Sequence, residues 1–270
     1  KNVSFKTGSF AVPSSGTIGI SSSGLYENAE EAGFLLFGRR HAISVSTTAV
    51  QDALSLHINP GMREDAYKLV ISAGGISIIG QSAVAVFLGI QTLKQIVRQA
   101  GGRRLPLIAI DDWPDLKVRG VYYDVTRGRV PRRERLIEMI DKLAEYKINH
   151  FQLYIEHVFR FRAHPKIGKN ASPLTADDIL ALDAHCRKRH IEFVPSLASF
   201  GHMSKVLTIP EYRHLAEDRG IGQFVKADET IKNRKLKGWT LSPANPKIYN
   251  FLNSLYDEFL PLFSSDKFNV

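Results

Sequence analysis

A single cysteine, Cys186, stands among 270 residues, so no internal disulfide holds the fold, and its scarcity says little about compartment. No apolar run approaches the roughly 20 residues that a membrane span needs. The chain opens at Lys1 without an apolar leader, so a targeting segment is either absent or already removed. The first 113 residues contain no His-Glu-x-x-His metal spacing and no glycine-rich phosphate loop. Acidic excess is also missing, since the formal charge is +9. The basic residues are dispersed over Lys94–Arg104, Arg127–Arg135, Arg160–Lys169, Arg187–His190 and Lys232–Lys237, interleaved with acids or placed at helix ends. Solvated faces therefore explain them better than a phosphate-binding stripe. These absences lead us to expect a soluble protein with no cofactor, no structural metal, no nucleic-acid partner and no membrane partner.

What is present is organised around Lys117–Glu156. Val118–Val125 is β-rich. Pro131 then opens a helix, where its missing N–H costs nothing, and Leu136, Ile137, Ile140, Leu143 and Ala144 repeat at helical spacing as one buried stripe. Asn149 is expected to close that helix, and His150–Glu156 forms the next strand. A parallel pair joined by a helix requires a right-handed crossover.

Residues 1–113 read as one α+β unit. Its expected elements are a weakly alternating stretch at Phe5–Val12, a helix at Asn28–Phe37, a strand at Ala42–Thr48, a hairpin of Tyr67–Ile71 with Ile76–Ile79, and a helix at Ala83–Gln99 ended by Gly101-Gly102. From 114 to 270, strands near 118–125, 150–156, 191–198 and 267–270 alternate with helices at 132–147, 175–189 and 246–262. Such alternation fits either an open doubly wound sheet or half of an eight-stranded barrel. Polar residues gather at the strand ends, over Asp124–Arg129, Glu156–Arg162 and Ser196–Ser204, and in a barrel those loops form the active face. The aromatics Tyr122, Tyr123, Tyr154, Phe159, Phe161, Phe200 and Trp239 stand among them, either as platforms for sugar rings or as packing. The loop from Arg213 to Ser242 lacks periodicity and is a candidate cover for that face.

Several motifs in order carry a resemblance. Asp111-Asp112-Trp113-Pro114, then Val118-Arg119-Gly120-Val121-x-x-Asp124-Val125-Thr126-Arg127, then Leu143-x-x-Tyr146-Lys147-Ile148-Asn149 resemble the opening of the glycoside hydrolase family 20 catalytic domain. Ser199-Phe200-Gly201-His202 resembles its third strand end. The Tyr67–Gln95 hairpin and helix, with Gly89-Ile90-Gln91-Thr92-Leu93, is similar to that family's accessory α+β domain, which is zincin-like and binds no metal. The resemblance implies an α/β chain: a zincin-like α+β accessory domain over 1–113, then the N-terminal half of a (β/α)8 TIM barrel over 114–270.

The implied activity is that of a β-N-acetylhexosaminidase acting on a glycan that carries terminal N-acetylhexosamine. In this family the substrate's own acetamido oxygen is the nucleophile, an exception to the two-carboxylate scheme. The resemblance puts the catalytic Asp-Glu pair just after the fourth barrel strand, hence beyond Val270, and assigns no catalytic residue within the sequence; Asp228-Glu229 lies in a basic loop and is a poor substitute. It assigns Arg119 to the sugar's 3- and 4-hydroxyls, for which a guanidinium fork is suited, with a salt bridge to a barrel carboxylate as the alternative. Asp124 and Arg127 match the family's first-strand pair, in substrate contact or structural pairing. Glu156 takes the place of the second of two aspartates, with Ile155 replacing the first, and His157 follows it. His202 matches a family histidine whose aspartate partner is here Ala198, so Ser196 or Ser199 is expected to orient it, and Phe200 replaces the usual proline. Glu156, His157, His202, Asp124 and Arg119 are thus the expected substrate-binding residues, in a divergent subgroup.

Half a barrel leaves its first and fourth strands unpaired. Either the remainder follows in a longer protein or two copies associate along those edges. A non-catalytic carbohydrate-binding or interaction module is the alternative function.

Overall fold

A computed structural model describes residues 1–45, 53–217 and 239–270 of the chain, in two compact units. The end of the expected Ala42–Thr48 strand, the Asp228-Glu229 pair, the Lys232–Lys237 set and most of the Arg213–Ser242 loop lie outside the described residues.

The first unit comprises Lys1–Arg119 together with Leu143–Lys147. Its seven strands are β1 (Asn2–Ala11), β2 (Gly16–Ile20), β3 (His41–Val45), β4 (Leu54–Ile58), β5 (Tyr67–Ser72), β6 (Gly75–Gly80) and β7 (Arg104–Asp112), in the order β1-β7-β5-β6-β4-β2-β3. The hairpin β5–β6 alternates as its sequence requires: Tyr67, Leu69, Ile71, Ile76 and Ile78 are buried, while Lys68 and Ser72 are exposed. Helices α1 (Tyr26–Phe37) and α2 (Ala83–Ala100) pack against the sheet and each other. Ser82 caps α2 by accepting from the Ala85 N–H at 3.2 Å, and Gly101, left-handed at φ 64°, ends it.

Three strands here were not expected from the sequence. Strand β2 is short and carries two glycines; the aromatic edge of Phe37 lies 2.8 Å from where a Gly16 Cβ would stand, so the position demands glycine despite its low β propensity. Strand β4 is only five residues long. Strand β7 contains Pro106, which argues against a strand in sequence. Pro106 sits opposite Ser9, where the β1 register shifts between Lys6 and Ser9, and beyond the end of the β5 pairing, so its missing N–H falls where the ladder is already broken.

The second unit comprises Gly120–Lys142 and Ile148–Val270. Parallel strands β8 (Gly120–Asp124), β9 (His150–Tyr154) and β10 (Glu192–Val194) lie in chain order, with α3 (Arg133–Glu145) and α4 (Ala176–Lys188) as the crossovers. Short α5 (Ser204–Leu207) and the longer α6 (Lys247–Phe259) follow. At the chain's end Asn269 forms a parallel bridge to Ser196, its N–H donating to Pro195 and its carbonyl accepting from Leu197. The expected fourth strand is therefore a single bridge on the β10 side. The order is that of the opening repeats of a β/α barrel.

Helix α3 buries Leu136, Ile140 and Ala144 at four-residue spacing. It is not closed by Asn149: Lys147, at φ 61°, turns the chain, its N–H donating to Ala144 at 2.8 Å. The end of this helix belongs to the first unit, where nearly buried Glu145 accepts from Arg98 at 3.0 Å and pairs with Lys94 at 3.1 Å. Helix α4 carries a full capping box between Thr175 and Asp178.

Candidate functional site

The polar groups at the carboxyl ends of β8 and β9 are held together by a loop whose residues bond one another. Asp124 Oδ1 accepts from the Thr126 and Arg127 N–H groups at 2.8 and 3.1 Å, an Asx turn that starts the loop after β8. Thr126 Oγ1 donates to the Tyr154 carbonyl at 3.2 Å and accepts from the Glu156 N–H at 3.0 Å, joining that loop to the end of β9. Gly128 takes φ 99°, a conformation that a side chain would strain, and so turns the chain between Arg127 and Arg129.

Arg127 is the centre of the resulting cluster. Its guanidinium lies 2.5 Å from Asp124 Oδ2, 3.2 Å from Glu156 Oε1 and 3.3 Å from His202 Nδ1, and 5.0 Å over the Tyr154 ring. Glu156 also accepts from the Tyr154 hydroxyl at 2.8 Å. His202 Nδ1 also lies 3.6 Å from Glu156 Oε1, so the imidazole meets both the guanidinium and the carboxylate. The His202 ring is 4.8 Å from Trp239 and 6.2 Å from Tyr154. Its backbone stands at φ 59°, a region that non-glycine residues seldom adopt and that tends to persist at functional sites.

These contacts set the electrostatics. Burial raises the Asp124 carboxyl, but the Arg127 guanidinium and the two loop N–H groups outweigh it and hold the group below its ordinary range. Arg127 is raised in turn, first by Asp124. The Tyr154 phenol is pushed up to about 12, by burial and then by the Glu156 carboxylate beside it. A cationic fork, two acceptor carboxylates, an imidazole and two aromatic faces make a surface suited to a neutral polyol: the charged groups satisfy one another and can share hydrogen bonds with hydroxyls.

The structure brings Asp124, Glu156 and His202 together, with Arg127 between them. Arg119 is placed elsewhere. It directly precedes β8 whereas Asp124 closes it, opposite ends of a five-residue strand at roughly 3.3 Å per residue. Its Nε donates to the Lys147 carbonyl and its Nη1 to the Leu116 carbonyl, both at 2.6 Å. The fork is therefore bound to backbone carbonyls, and burial lowers its pKa. His157 forms no hydrogen bond with the cluster; its Nδ1 is buried without a partner among the described residues, and burial lowers its pKa. Neither expected serine orients His202: Ser196 Oγ is paired with the Tyr122 hydroxyl at 2.7 Å, and Ser199 Oγ donates to Leu197 O at 2.8 Å. Among the aromatics, Phe159 and Phe161 are core, packed on one another and, through Phe159, on Phe259.

Thr126 and Arg127 are the residues whose weight sequence reasoning understated. The signal was their position after the strand, on the face where barrel sites form. One Asp-Glu dipeptide, Asp257-Glu258, stands among the described residues, but on α6, where Glu258 accepts from the N–H groups of Arg162 and Ala163 at 2.7 and 2.8 Å. Among the described residues no group of three or more His, Cys, Asp or Glu could hold a metal ion, and no helix is long and apolar enough to cross a membrane.

Residues 1–113 match the family described as "Glycosyl hydrolase family 20, domain 2", and residues 117–270 match "Glycosyl hydrolase family 20, catalytic domain". The chain is 25% identical over 267 residues to a β-hexosaminidase of Vibrio vulnificus, covering 82% of this chain and 31% of that protein. It is 28% identical over 237 residues to one of Vibrio furnissii, covering 78% and 37%. It thus spans about a third of the length of these relatives. Among solved structures, Flavobacterium johnsoniae chitobiase superposes with a TM-score of 0.79 at 24% identity, over 99% of this chain and 43% of that one. The β-N-acetylhexosaminidase of Bacteroides fragilis superposes at 0.79 with 16% identity, over 98% and 54%. At these identities the superpositions speak for the fold.

Proposed function

The chain belongs to glycosyl hydrolase family 20, and from that premise we propose that the protein it represents removes terminal N-acetylhexosamine residues from glycans. Residues 1–113 serve as the accessory unit and 114–270 as the opening half of the catalytic barrel. The reaction proceeds with retention, the substrate's acetamido oxygen acting as nucleophile, and the general acid comes from a part of the protein that this sequence does not include. The residues present hold the sugar. Arg127, with Asp124 and Glu156, takes the hydroxyl-binding role that the family resemblance assigns to Arg119.

The observation that supports this most is the Arg127 cluster at the carboxyl ends of adjacent parallel strands. A guanidinium bridging carboxylates from two strands presents fixed donors and acceptors to sugar hydroxyls. Both carboxylates are engaged by Arg127, so this chain by itself is expected to bind sugar without hydrolysing it. Assay of the whole protein on aryl β-N-acetylglucosaminides and N-acetylgalactosaminides tests the activity; no turnover on either contradicts it.

A further inference from the structure

Next to the sugar cluster, and sharing Asp124 and Arg127 with it, is a cavity of about 870 Å³ formed by the loop after β8 and the first turns of α3. Its volume falls in the range of small-molecule sites. Four arginines line it, Arg127, Arg129, Arg132 and Arg135, against a single carboxylate, Asp124. Two of the four are already neutralised: Arg127 by Asp124 and Glu156, and Arg135 by Glu138 at 2.5 Å. Arg129 and Arg132 are exposed and form no ion pair among the described residues. Two guanidinium groups with no ion pair among the described residues thus line a cavity that shares Asp124 and Arg127 with the proposed sugar site. Gly128 at φ 99° and Pro131 fix the short loop between them, so the pair is carried on constrained backbone.

A neutral hydroxyl can accept a hydrogen bond from these arginines but brings no counter-charge to them. An oxyanion does, and guanidinium groups bind sulfate, phosphate and carboxylate through paired, charge-assisted hydrogen bonds. We propose that this cavity is a subsite for an anionic group on the glycan, so that the preferred substrates are acidic N-acetylhexosamine glycans, sulfated or carrying a uronic acid. The proposal rests on the sugar-binding reading above. The Arg127 cluster holds the N-acetylhexosamine, and Arg129 with Arg132 receives the anionic substituent or the adjoining acidic residue.

The test titrates the 270-residue chain at low salt with N-acetylglucosamine, N-acetylglucosamine 6-sulfate, N-acetylgalactosamine 4-sulfate, a glucuronate-containing chondroitin disaccharide and inorganic sulfate. At least one acidic sugar should bind roughly tenfold or more tighter than the neutral one, and the preference should shrink as salt is added. The acidic arms separate a sulfate ester from a uronate as the group received. In Arg129→Ala/Arg132→Ala the ratio of acidic to neutral affinity should fall to about one, while Arg129→Lys/Arg132→Lys, which keeps the charge but not the fork, should retain part of it. Unchanged thermal melts show that both variants fold. Equal affinity for neutral and acidic sugars overturns the subsite and leaves the sugar-binding reading standing. Sulfate binding that the double alanine variant abolishes, with no sugar bound at all, supports the anion site and contradicts the sugar-binding reading. No binding of any probe contradicts both.

Discussion

The Arg127 guanidinium donates to the Glu156 carboxylate at 3.2 Å and so ties the loop after β8 to the end of β9. The same side chain holds Asp124 and His202, which makes Arg127 the common partner of groups from three successive strand ends. Replacing it with alanine leaves two carboxylates facing each other without a counter-charge. Arg127→Ala should lower N-acetylhexosamine affinity at least about tenfold, and Arg127→Lys should restore little of it, since an ammonium cannot span both carboxylates as a fork does. Isothermal titration measures both.

Arg119 should behave in the opposite way. Its donors meet the Lys147 and Leu116 carbonyls, so Arg119→Ala should cost about 1–3 kcal/mol of stability, as expected for carbonyls that lose a charged donor, while sugar affinity stays unchanged. Urea unfolding beside the same titration separates the two effects.

Asp112 carries a pH dependence in the first unit. Its carboxylate accepts from the Tyr67 hydroxyl at 2.8 Å and from Lys147 Nζ at 3.2 Å. Burial raises its pKa, but these partners outweigh burial and hold it below the ordinary 3.8. A depressed carboxyl contributes stability that is present above the unfolded value and lost as pH falls through the folded one. Stability should therefore decline below about pH 4, and Asp112→Asn should flatten that part of the curve. Urea midpoints measured from pH 6 down to pH 2 provide the check.

Gly89, inside α2, sets two known effects against each other. Alanine gains about 1 kcal/mol of helix propensity over glycine. A Cβ at Gly89, however, would stand 2.6 Å from Ile78 Cγ2 and 3.1 Å from the Tyr67 ring, both on the buried face of the sheet. Overpacking a filled core typically costs about 1–3 kcal/mol, so Gly89→Ala should lower the melting temperature in spite of its better propensity.

The elements legible in the sequence are those whose local signals agree with their packing. Leu136, Ile140 and Ala144 on α3 and the alternating β5–β6 hairpin each show one period, and the Thr175–Asp178 box on α4 is a clear cap. Strands β2 and β7 were hidden because Gly16 and Pro106 answer to tertiary demands, the approach of Phe37 in one case and a register shift in the other. Lys147 hid the end of α3 because a lysine is not a usual left-handed residue; here its ammonium reaches Tyr67 and Asp112, and those contacts hold it there. The same limit applied at the site. Asp124, Glu156 and His202 could be grouped from their places at strand ends, but two arginines flank β8, and only strand direction distinguishes the one at its start from the one past its end.

The most direct measurement is a titration of N-acetylglucosamine into the 270-residue chain and into its Arg127→Ala and Arg119→Ala variants under identical conditions. The expected result is saturable binding to the parent chain and to Arg119→Ala, with affinity lost in Arg127→Ala. Binding that survives Arg127→Ala and disappears with Arg119→Ala would contradict the placement of the sugar site at the carboxyl ends of β8 and β9.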